Sequence, residues 1–287
     1  MSLRWLVTGA AGMLGSDVTI ALQKRDDEVI ALPRSELDIS DRKGLTEKID
    51  SVHPDIIVNC AAYTRVDDAE SDEAAATAVN GAAVMALADA ANQCGALLTQ
   101  VSTDFVFDGS SQQPYDTDDT PAPLSAYGRS KLLGERAASN ARSCLIVRAA
   151  WLFGVRGPNF VEAIRNQVRK GTNPLRVVDD QRGRPTYTPH LAAAIIELSL
   201  LARQTADARG IVHYGDRDEC TWFDFAREIV RLTGSATTVR PVTTAEFVRP
   251  APRPAYSVLS TRRYERLTGL QPQSWRDGLR EYFALRP

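Results

Sequence analysis

The sequence is poor in the residues that build metal sites and disulfide frameworks. It has three histidines and four cysteines in 287 residues. The cysteines are widely separated and form no Cys-x-x-Cys pair, at Cys60, Cys94, Cys144 and Cys220. Because neither residue type recurs at metal-ligand spacing, we predict reduced thiols and no metal site.

Long apolar runs and an excess of one charge sign are also lacking. No stretch approaches the roughly 20 apolar residues that span a bilayer. No charged segment followed by an apolar one opens the sequence. The formal net charge of -2 gives no electrostatic reason to bind nucleic acid or an anionic membrane. We therefore expect a cytoplasmic protein whose partners are neither nucleic acids nor membranes.

What the first half does contain is a regular alternation of short apolar runs and helix-like segments. Strands that are apolar on both faces and alternate with helices are typical of a parallel sheet covered on each side. We predict an α/β fold with a Rossmann-type doubly wound parallel sheet. The predicted strands are Arg4–Thr8, Glu28–Leu32, Ile56–Asn59, Leu97–Ser102 and Cys144–Arg148, and the predicted helices are Met13–Lys24, about 42–52, Ala74–Gln93 and Tyr127–Asn140.

After about residue 150 the alternation becomes irregular. Prolines interrupt the chain, and helix-like segments remain near 160–170, 191–201, 222–232 and 275–285. One large domain with a smaller second part fits this length better than two equal domains. We predict an NAD(P)-binding domain over residues 1–150. Residues 151–287 would form mainly a smaller C-terminal substrate-binding lobe, with some segments returning to the sheet.

Three glycines, Gly9, Gly12 and Gly15, lie between the first strand and the first helix. Glycine lets the chain turn tightly and brings backbone N–H groups against a pyrophosphate, and the helix N-terminus adds partial positive charge. The Gly-x-x-Gly-x-x-Gly spacing differs from the Gly-x-Gly-x-x-Gly of many dehydrogenases. Its position after a strand and before a helix nevertheless indicates dinucleotide binding.

The residues at the end of the second strand indicate which dinucleotide binds. An acidic residue there would hold the ribose hydroxyl of NAD, whereas an arginine accommodates the 2′-phosphate of NADP. The sequence VIALPRSELD places Arg34 near the phosphate position and Glu36 close to it. We predict NADPH, with NADH as the open alternative.

Tyr127 and Lys131 are four residues apart on a predicted helix, so their side chains share one face. A tyrosine phenol is a very weak acid, and a nearby ammonium group lowers its pKa. The phenol can then give a proton to a carbonyl oxygen while a hydride reaches the carbon. The lysine can also bond to the nicotinamide ribose. This pair predicts an oxidoreductase.

The fourth strand ends in the sequence QVSTDFVFDG, which carries further polar groups into the expected crevice. A hydroxyl at that position could donate a hydrogen bond to the substrate carbonyl. We prefer Thr103 to Ser102 for this role, with Asp104 beside it. The alternative is that the Ser-Thr-Asp cluster only forms a turn.

Seven motifs follow one another in an order that resembles the dTDP-4-dehydrorhamnose reductases, a branch of the extended short-chain dehydrogenases. They are TGAAGMLG, PDIIVNCAAYTRVDDAE, VSTDFVFDG, YGRSK, RAAWLFG, DDQRGRPT and RPAYSVLST. The resemblance covers essentially the whole chain, as far as the segment around Arg253. The glycine and Tyr-Lys motifs specify only the superfamily, whereas the other motifs indicate this branch.

The resemblance implies that NADPH reduces the C4 keto group of dTDP-4-dehydro-6-deoxy-L-mannose, giving dTDP-L-rhamnose. Tyr127 would be the proton donor, Lys131 its electrostatic and ribose-binding partner, and Thr103 the group that polarises the carbonyl. Asp104 would contact the substrate, and Trp151 would form the wall on which the hexose lies. The implied cofactor contacts are Gly12, Met13, Leu14, Asp38, Ile39, Ala61, Ala62 and Tyr63.

Some members of this family form dimers around a magnesium ion held by glutamates. The matching positions here are Asp17 and the Thr188-Pro189 pair. We therefore predict no required metal, and a homodimer is left open.

Two other functions share much of this pattern. A nucleotide-sugar dehydratase or epimerase would have the same glycine loop and Tyr-Lys pair. Phe105 stands where a dehydratase of this superfamily needs an acid, which argues against elimination. A non-catalytic NADP-binding regulatory subunit is the third alternative, and the intact Thr103, Tyr127 and Lys131 set speaks against it.

Overall fold

The computed structural model of the chain describes residues 2–286, so the outermost residues of the two predicted parts, Met1 and Pro287, lie outside it. The first 150 residues alternate strands and helices as predicted. The strands are β1 (Arg4–Thr8), β2 (Glu28–Leu32), β3 (Ile56–Asn59), β4 (Leu97–Thr103) and β5 (Cys144–Ala149). The helices are α1 (Met13–Leu22), α2 (Arg42–Val52), α3 (Glu73–Thr77), α4 (Ala83–Cys94) and α5 (Ala126–Ala138).

The remaining chain has shorter strands and five more α-helices within the described residues. The strands are β6 (Leu152–Phe153), β7 (Leu175–Val178), β8 (Arg182–Gly183), β9 (Thr186–Tyr187), β10 (Gly210–His213), β11 (Cys220–Thr221) and β12 (Val239–Val242). The helices are α6 (Phe160–Arg169), α7 (Thr188–Gln204), α8 (Trp222–Thr233), α9 (Arg262–Thr268) and α10 (Trp275–Leu285).

Within the described residues, six parallel strands form the central sheet in the order β10-β5-β4-β3-β1-β2. The order reverses between β1 and β3, because the chain crosses from β2 back over β1 to reach β3. Doubly wound sheets bind ligands at such a reversal, outside the carboxyl ends of the strands. This confirms the predicted fold class and places a crevice beside the ends of β1 and β3.

Helices cover both faces of the sheet and make two separate cores. On one face, Val18 of α1 and Leu191 of α7 pack with Val7 and Val147 of the sheet. On the other face, α2, α4 and α5 pack against the sheet through small and aliphatic side chains, many of them alanines. Because α7 and β10 come from the second part of the chain, that part contributes directly to the Rossmann core.

The alanine-rich segment predicted as one helix is divided by a π-helical turn, Ala78–Ala82, between α3 and α4. The expectation that no stretch is apolar enough for a bilayer was wrong for Glu73–Cys94, which is long and apolar enough by length and composition. More than half of its most apolar window is, however, buried. Leu87, for example, is fully buried in the core beneath α2. The apolar character of this stretch therefore serves packing against the sheet.

The second part of the chain has a core of its own that is rich in aromatic rings. Phe153, Tyr187, Phe225, Trp275 and Tyr282 are all buried there. Aromatic side chains bury large areas per residue, which suits a small lobe with short strands. The prolines in this part do not all break helices, since Pro189 lies in the first turn of α7. Proline is tolerated at that position because its missing N–H would be unpaired anyway.

Candidate active site

The glycine loop follows β1 and turns in a way that only glycine permits. Gly9 has a φ of 64°, and a Cβ there would lie 2.7 Å from the backbone nitrogen of Ala61 at the end of β3. A Cβ on Gly15 would overlap the carbonyl oxygen of Gly9. The Gly12 N–H donates to that same oxygen at 2.9 Å. The loop is therefore packed against itself and against β3 at the reversal point of the sheet.

The first turn of α1 leaves backbone N–H groups without a side-chain partner. Gly12 is the N-cap residue, and among the described residues no side chain caps it and no acidic residue lies in the first turn. An uncapped helix N-terminus is a suitable place for an anion such as a pyrophosphate. The Leu14 side chain is buried in the core, so only its backbone is available to a ligand.

Arg34 and Asp38 lie beyond the end of β2, next to the glycine loop. The Arg34 side chain is 81% exposed and its Nη2 lies 3.0 Å from an Asp38 carboxylate oxygen. Ser40 donates through its hydroxyl and its N–H to Asp38, and these bonds, helped by Arg34, keep the pKa of Asp38 below its usual range. An exposed ion pair of this kind contributes little to stability, so Arg34 is available for a phosphate. The Ile39 side chain is buried beneath α2.

A buried ladder of polar side chains, which the sequence analysis missed, joins the ends of β1 and β3 to the middle of β4 below the loop. Thr8 donates to Asn59 at 2.6 Å, and Asn59 donates to Gln100 at 2.7 Å. The Asn59 oxygen also accepts from the Ala61 N–H at 3.2 Å. Buried polar groups of this kind need complete partners and make a unique arrangement. The ladder therefore fixes the backbone of Ala61 against Gly9.

Asn80 is a second residue that the sequence analysis missed. It lies in the π-helical turn and exchanges hydrogen bonds with the backbone of Tyr63, at 2.9 and 3.0 Å. Its amide also donates to the Ser130 hydroxyl on α5 at 2.9 Å. π-helical turns within α-helices frequently occur at functional sites. Here the turn connects the loop after β3, which holds Ala62 and Tyr63, to the helix that carries Tyr127.

Tyr127 and Lys131 are both buried on α5, and they point toward β4. The Lys131 ammonium donates to the carbonyl oxygen of Val101 at 2.7 Å. Burial lowers the pKa of Lys131 to about 8, although the negative charge of Glu135 one turn later acts in the opposite direction. Lys131 is therefore mainly protonated at neutral pH, and its ammonium group is held against β4.

The pKa of the Tyr127 phenol is raised, whereas the sequence analysis expected a nearby ammonium group to lower it. Burial and the carboxylate of Asp104 raise the pKa of Tyr127 above its usual value, while a hydrogen bond with Thr103 acts against this. The ring of Phe105 packs edge-on against the phenol, with centroids 5.6 Å apart. A raised pKa keeps the phenol protonated at neutral pH, which is the form that can donate a proton.

Thr103 and Asp104, at the end of β4, lie beside Tyr127, as the sequence predicted. The Thr103 hydroxyl donates to Asp104 at 3.0 Å. The neighbouring Ser102 hydroxyl is instead committed to Glu135 at 2.6 Å, which supports the choice of Thr103. Asp104 is 2% exposed, and among the described side chains its Oδ2 is one of the few buried polar atoms without a partner. Burial raises the pKa of Asp104 to about 6.

A cavity of about 610 Å³ opens next to these groups, between the sheet and the second lobe. Phe105 and Ser257 line its inner end, and the Ser257 side chain acts against the raised pKa of Asp104. Its walls are largely apolar, and three arginines contribute positive charge: Arg176, Arg249 and Arg253. Arg182 is paired with Glu219 at 3.2 Å and does not line this cavity.

Trp151 lines the cavity from an unusual backbone conformation. Its φ is 50°, in the left-handed region that residues other than glycine rarely adopt. The indole ring is stacked on that of Trp222, with centroids 3.5 Å apart and planes inclined by 8°. Backbone strain of this kind is found most often at ligand sites.

One loop of the second lobe is tied to the first part of the chain across the cavity. Arg253 donates to the Asp67 carboxylate at 2.8 Å, and the Ala251 N–H donates to the same oxygen at 3.2 Å. Arg249 lies 3.9 Å from the other Asp67 oxygen. These bonds, with Arg253 contributing more than Arg249, keep the pKa of Asp67 below its usual range despite partial burial. Asp67 thus holds two cavity-lining arginines in place.

The positions that correspond to a magnesium site in some family members are occupied by a different contact. Thr188 donates to Asp17 at 2.5 Å, and Arg156 lies 3.4 Å from the other oxygen of that carboxylate. Burial raises the pKa of Asp17, and Thr188 and Arg156 oppose the shift. Among the described residues, no group of three or more His, Cys, Asp or Glu side chains could hold a metal ion. That no metal is required stays a prediction.

Comparison with known proteins agrees with this arrangement along the whole chain. The family model of the RmlD substrate binding domain matches residues 3–286. The dTDP-4-dehydrorhamnose reductase of Streptomyces griseus is 44% identical over 285 residues, which cover 98% of this chain and 93% of that protein. The dTDP-4-keto-6-deoxy-D-glucose reductase of Streptomyces niveus is 40% identical over 290 residues, which cover 99% of this chain and 98% of that protein.

A solved structure supports the same relationship. The dTDP-4-dehydrorhamnose reductase of Bacillus anthracis, in complex with NADP, is similar to this chain with a TM-score of 0.93 and 34% sequence identity. The similarity covers 99% of this chain and 100% of that one. It therefore includes the sheet, the glycine loop and the second lobe.

Proposed function

The chain belongs to the dTDP-4-dehydrorhamnose reductase family, and we propose that it uses NADPH to reduce the C4 keto group of dTDP-4-dehydro-6-deoxy-L-mannose. The product is dTDP-L-rhamnose. One observation carries the proposal: Thr103, Tyr127 and Lys131 converge at the carboxyl edge of the sheet, between an uncapped glycine loop and a cavity of about 610 Å³.

In the proposed reaction, Tyr127 is the general acid. Its hydroxyl proton passes to the C4 oxygen as the hydride reaches C4, so the carbonyl becomes an alcohol and the phenol becomes a phenolate. The raised pKa of Tyr127 keeps that proton in place until the carbonyl accepts it. The Lys131 ammonium, held by Val101, stabilises the phenolate that results. Solvent then returns a proton to the phenolate.

Thr103 and Asp104 orient the substrate in this proposal. The Thr103 hydroxyl, which now donates to Asp104, can donate to the C4 oxygen instead. The free Oδ2 of Asp104 can accept a hydrogen bond from a sugar hydroxyl. The sugar hydroxyl gives the buried Oδ2 the partner that it lacks, which favours the bound state.

The glycine loop and the neighbouring strand ends fit a dinucleotide. Bound NADPH supplies the hydride for the reaction. Gly9 and Gly15 let the loop pack closely against itself and the end of β3, and the first turn of α1 offers free N–H groups. Arg34 would contact the 2′-phosphate. The further contacts that we propose are Gly12, Met13, Leu14, Asp38, Ile39, Ala61, Ala62 and Tyr63.

The cavity fits a nucleotide sugar because it combines apolar walls with a cationic side. The hexose would lie at the inner end, against Trp151 and close to Tyr127. Arg176, Arg249 and Arg253 would meet the diphosphate, whose negative charges match guanidinium groups. We accordingly propose residues 1–150 as mainly the cofactor-binding domain and 151–287 as mainly the substrate-binding lobe.

A second candidate substrate is dTDP-4-keto-6-deoxy-D-glucose. It is favoured by the 40% identity to the Streptomyces niveus reductase. The two ketosugars are both 6-deoxy-4-hexuloses, so the same acid and hydride donor would serve either one. The difference would lie in how the ring meets Trp151 and Asp104.

The experiment that tests the proposal is NADPH absorbance decay with each of the two ketosugars, made enzymatically and purified. Stoichiometric oxidation with dTDP-L-rhamnose as product, and a higher kcat/KM for the L-mannose substrate, is the expected result. A higher kcat/KM for the D-glucose substrate would reassign the substrate. No oxidation with either, while NADPH still binds, would favour an epimerase or a non-catalytic NADP-binding subunit.

We further propose that the enzyme works in the cytoplasm and interacts with its dTDP-sugar as a small-molecule partner. The homodimer that the sequence analysis left open is checked by light scattering of the purified protein with and without magnesium. A mass that does not change when the ion is removed with a chelator would agree with an assembly that needs no metal.

A further inference from the structure

We propose that Trp222 is a positioning residue for the substrate: it holds the Trp151 ring in the orientation that meets the hexose. The inference rests on the proposed function, because it assigns Trp151 to the sugar. The two indoles are stacked almost parallel, with centroids 3.5 Å apart. Both rings line the same cavity.

Trp151 needs such support because its backbone is strained. A φ of 50° is unfavourable for a residue with a Cβ, so the surrounding contacts must favour this conformation. Two neighbours do so on different parts of the ring. Trp222 covers one face, and Gly183 lies so close that a Cβ there would be 2.5 Å from Trp151 Cε2 and 2.7 Å from Nε1.

Trp222 is itself held firmly, which a positioning role requires. It is the first residue of α8, directly after the N-cap residue Thr221, whose side chain forms a capping box with Asp224. The Thr221 hydroxyl also donates to Asp179 at 2.7 Å. On its other side the Trp222 ring contacts Phe160, with centroids 4.6 Å apart. The ring therefore has little freedom to follow Trp151 if that residue moves.

A comparison with the other tryptophans separates this role from simple packing. Trp5 and Trp275 are fully buried and do not line the cavity. Trp222 and Trp151 are only partly buried, and they leave part of their surface to the cavity. An aromatic ring that only packs would gain more from complete burial. The exposed surface of the two rings is thus available to a ligand. The sugar would contact the part of the Trp151 ring that neither Trp222 nor Gly183 covers.

The test is a double-mutant cycle on KM for the ketosugar, using Trp151→Ala, Trp222→Ala and the double variant. If Trp222 acts through Trp151, Trp222→Ala raises KM about three- to tenfold in the wild-type background. It then has no further effect when Trp151 is already alanine. Trp222→Phe restores most of the affinity, since a phenyl ring can still stack. The Kd for NADPH does not change in any of these variants.

Trp275→Phe is the matched control, because it alters a tryptophan of the same lobe that lies outside the cavity. It lowers the melting temperature without moving KM. Equal KM values for wild type and Trp222→Ala, or effects of the two alanine substitutions that simply add, would overturn the positioning role.

A second measurement needs no turnover. The Kd for dTDP-L-rhamnose, measured by titration, rises in Trp222→Ala but does not rise further when Trp222→Ala is added to Trp151→Ala. An unchanged Kd in Trp222→Ala overturns the inference directly. If the wild type oxidises no NADPH, the proposed reaction is wrong, and the Kd for dTDP-L-rhamnose takes the place of KM in the same cycle. If the wild type binds no nucleotide sugar, the reaction and the positioning role both fail.

Discussion

The cofactor side and the substrate side of the active site are built in different ways. The cofactor side uses mostly backbone: the glycine loop, the uncapped first turn of α1 and the strand end at Ala61. The substrate side uses mostly side chains, which come from segments as far apart as Phe105 and Ser257. A backbone surface needs only permissive residues close together in the chain, whereas a side-chain surface needs many segments to be placed correctly.

The difference also concerns polarity. The strands beneath the cofactor loop carry the polar ladder of Thr8, Asn59 and Gln100, which is buried and fully hydrogen-bonded. The cavity of the substrate lobe instead has stacked aromatic rings at its wall and guanidinium groups at its side. Because the proposed chemistry takes place where the two sides meet, substitutions there test whether the two sides act as separate units.

The largest effect is expected from Tyr127→Phe, which lies where both sides meet. Removing the phenol proton should lower kcat by about two to four orders of magnitude, while the Kd values for NADPH and for dTDP-L-rhamnose stay the same. The measurement is NADPH absorbance decay with separate binding titrations. Tyr264→Phe, a buried tyrosine in the core beside α7, serves as the control. Near-normal turnover in Tyr127→Phe would remove the residue from the mechanism.

Asp104→Asn tests the substrate side through the pH dependence of stability, since it replaces a buried titratable group there. The pKa of about 6 in the folded protein lies above the ordinary value of 3.8, so the folded state holds this proton more tightly than the unfolded state. Wild-type stability therefore falls as pH rises from about 4 to about 6. The variant lacks this loss and should be more stable than wild type by about 1–3 kcal/mol at pH 7, with a higher KM.

The measurement is urea denaturation at pH 7 and at pH 4. At pH 4 the difference in unfolding free energy between wild type and Asp104→Asn should vanish. Asp108→Asn is the matched control with the opposite sign. Hydrogen bonds from Ser110 and Tyr115 keep the pKa of Asp108 below its usual range, so that variant should lose stability at pH 7. A wild type that is as stable as Asp104→Asn at both pH values would show that the buried Asp104 carboxylate does not destabilise the folded protein.

Gly9→Ala should weaken NADPH binding and leave binding of the nucleotide sugar unchanged. The new Cβ would meet the Ala61 backbone at 2.7 Å, and the displaced loop should raise the Kd for NADPH by at least about tenfold. Fluorescence titration with NADPH measures this. Gly95→Ala is a close control, because its φ of 74° is similar but no atom lies within 4 Å of its Cβ position. Equal effects on dTDP-L-rhamnose binding would mean that the two sides are coupled.

The smallest effect is expected from Arg34→Ala, at the edge of the cofactor side. Loss of one exposed phosphate contact should raise KM for NADPH roughly three- to tenfold, and it should leave KM for NADH nearly the same. Arg42→Ala, which removes an exposed arginine paired with Asp89, should alter neither value. Equal changes for NADPH and NADH would contradict the 2′-phosphate assignment of Arg34.

Local signals in the sequence were sufficient for the fold and for much of the site. Apolar runs predicted β1, β2 and β3 with the bounds that the structure has, because strands of a parallel sheet covered by helices are mostly apolar. Tyr127 and Lys131 could be identified because a helix brings residues four apart to one face. The π-helical turn at Asn80 had no such local signal, since it depends on partners from Tyr63 and Ser130.

The sequence by itself therefore determined the doubly wound sheet, the glycine loop and the Tyr-Lys pair, since each depends on residues that are close together in the chain. Only the tertiary structure decided that Trp222 stacks on Trp151 and that Asp67 holds Arg253. The same is true of the raised pKa of Tyr127, because burial and the Asp104 carboxylate outweigh what the spacing to Lys131 suggested. These features depend on contacts between distant segments and on the removal of water, and neither leaves a periodic pattern in the sequence.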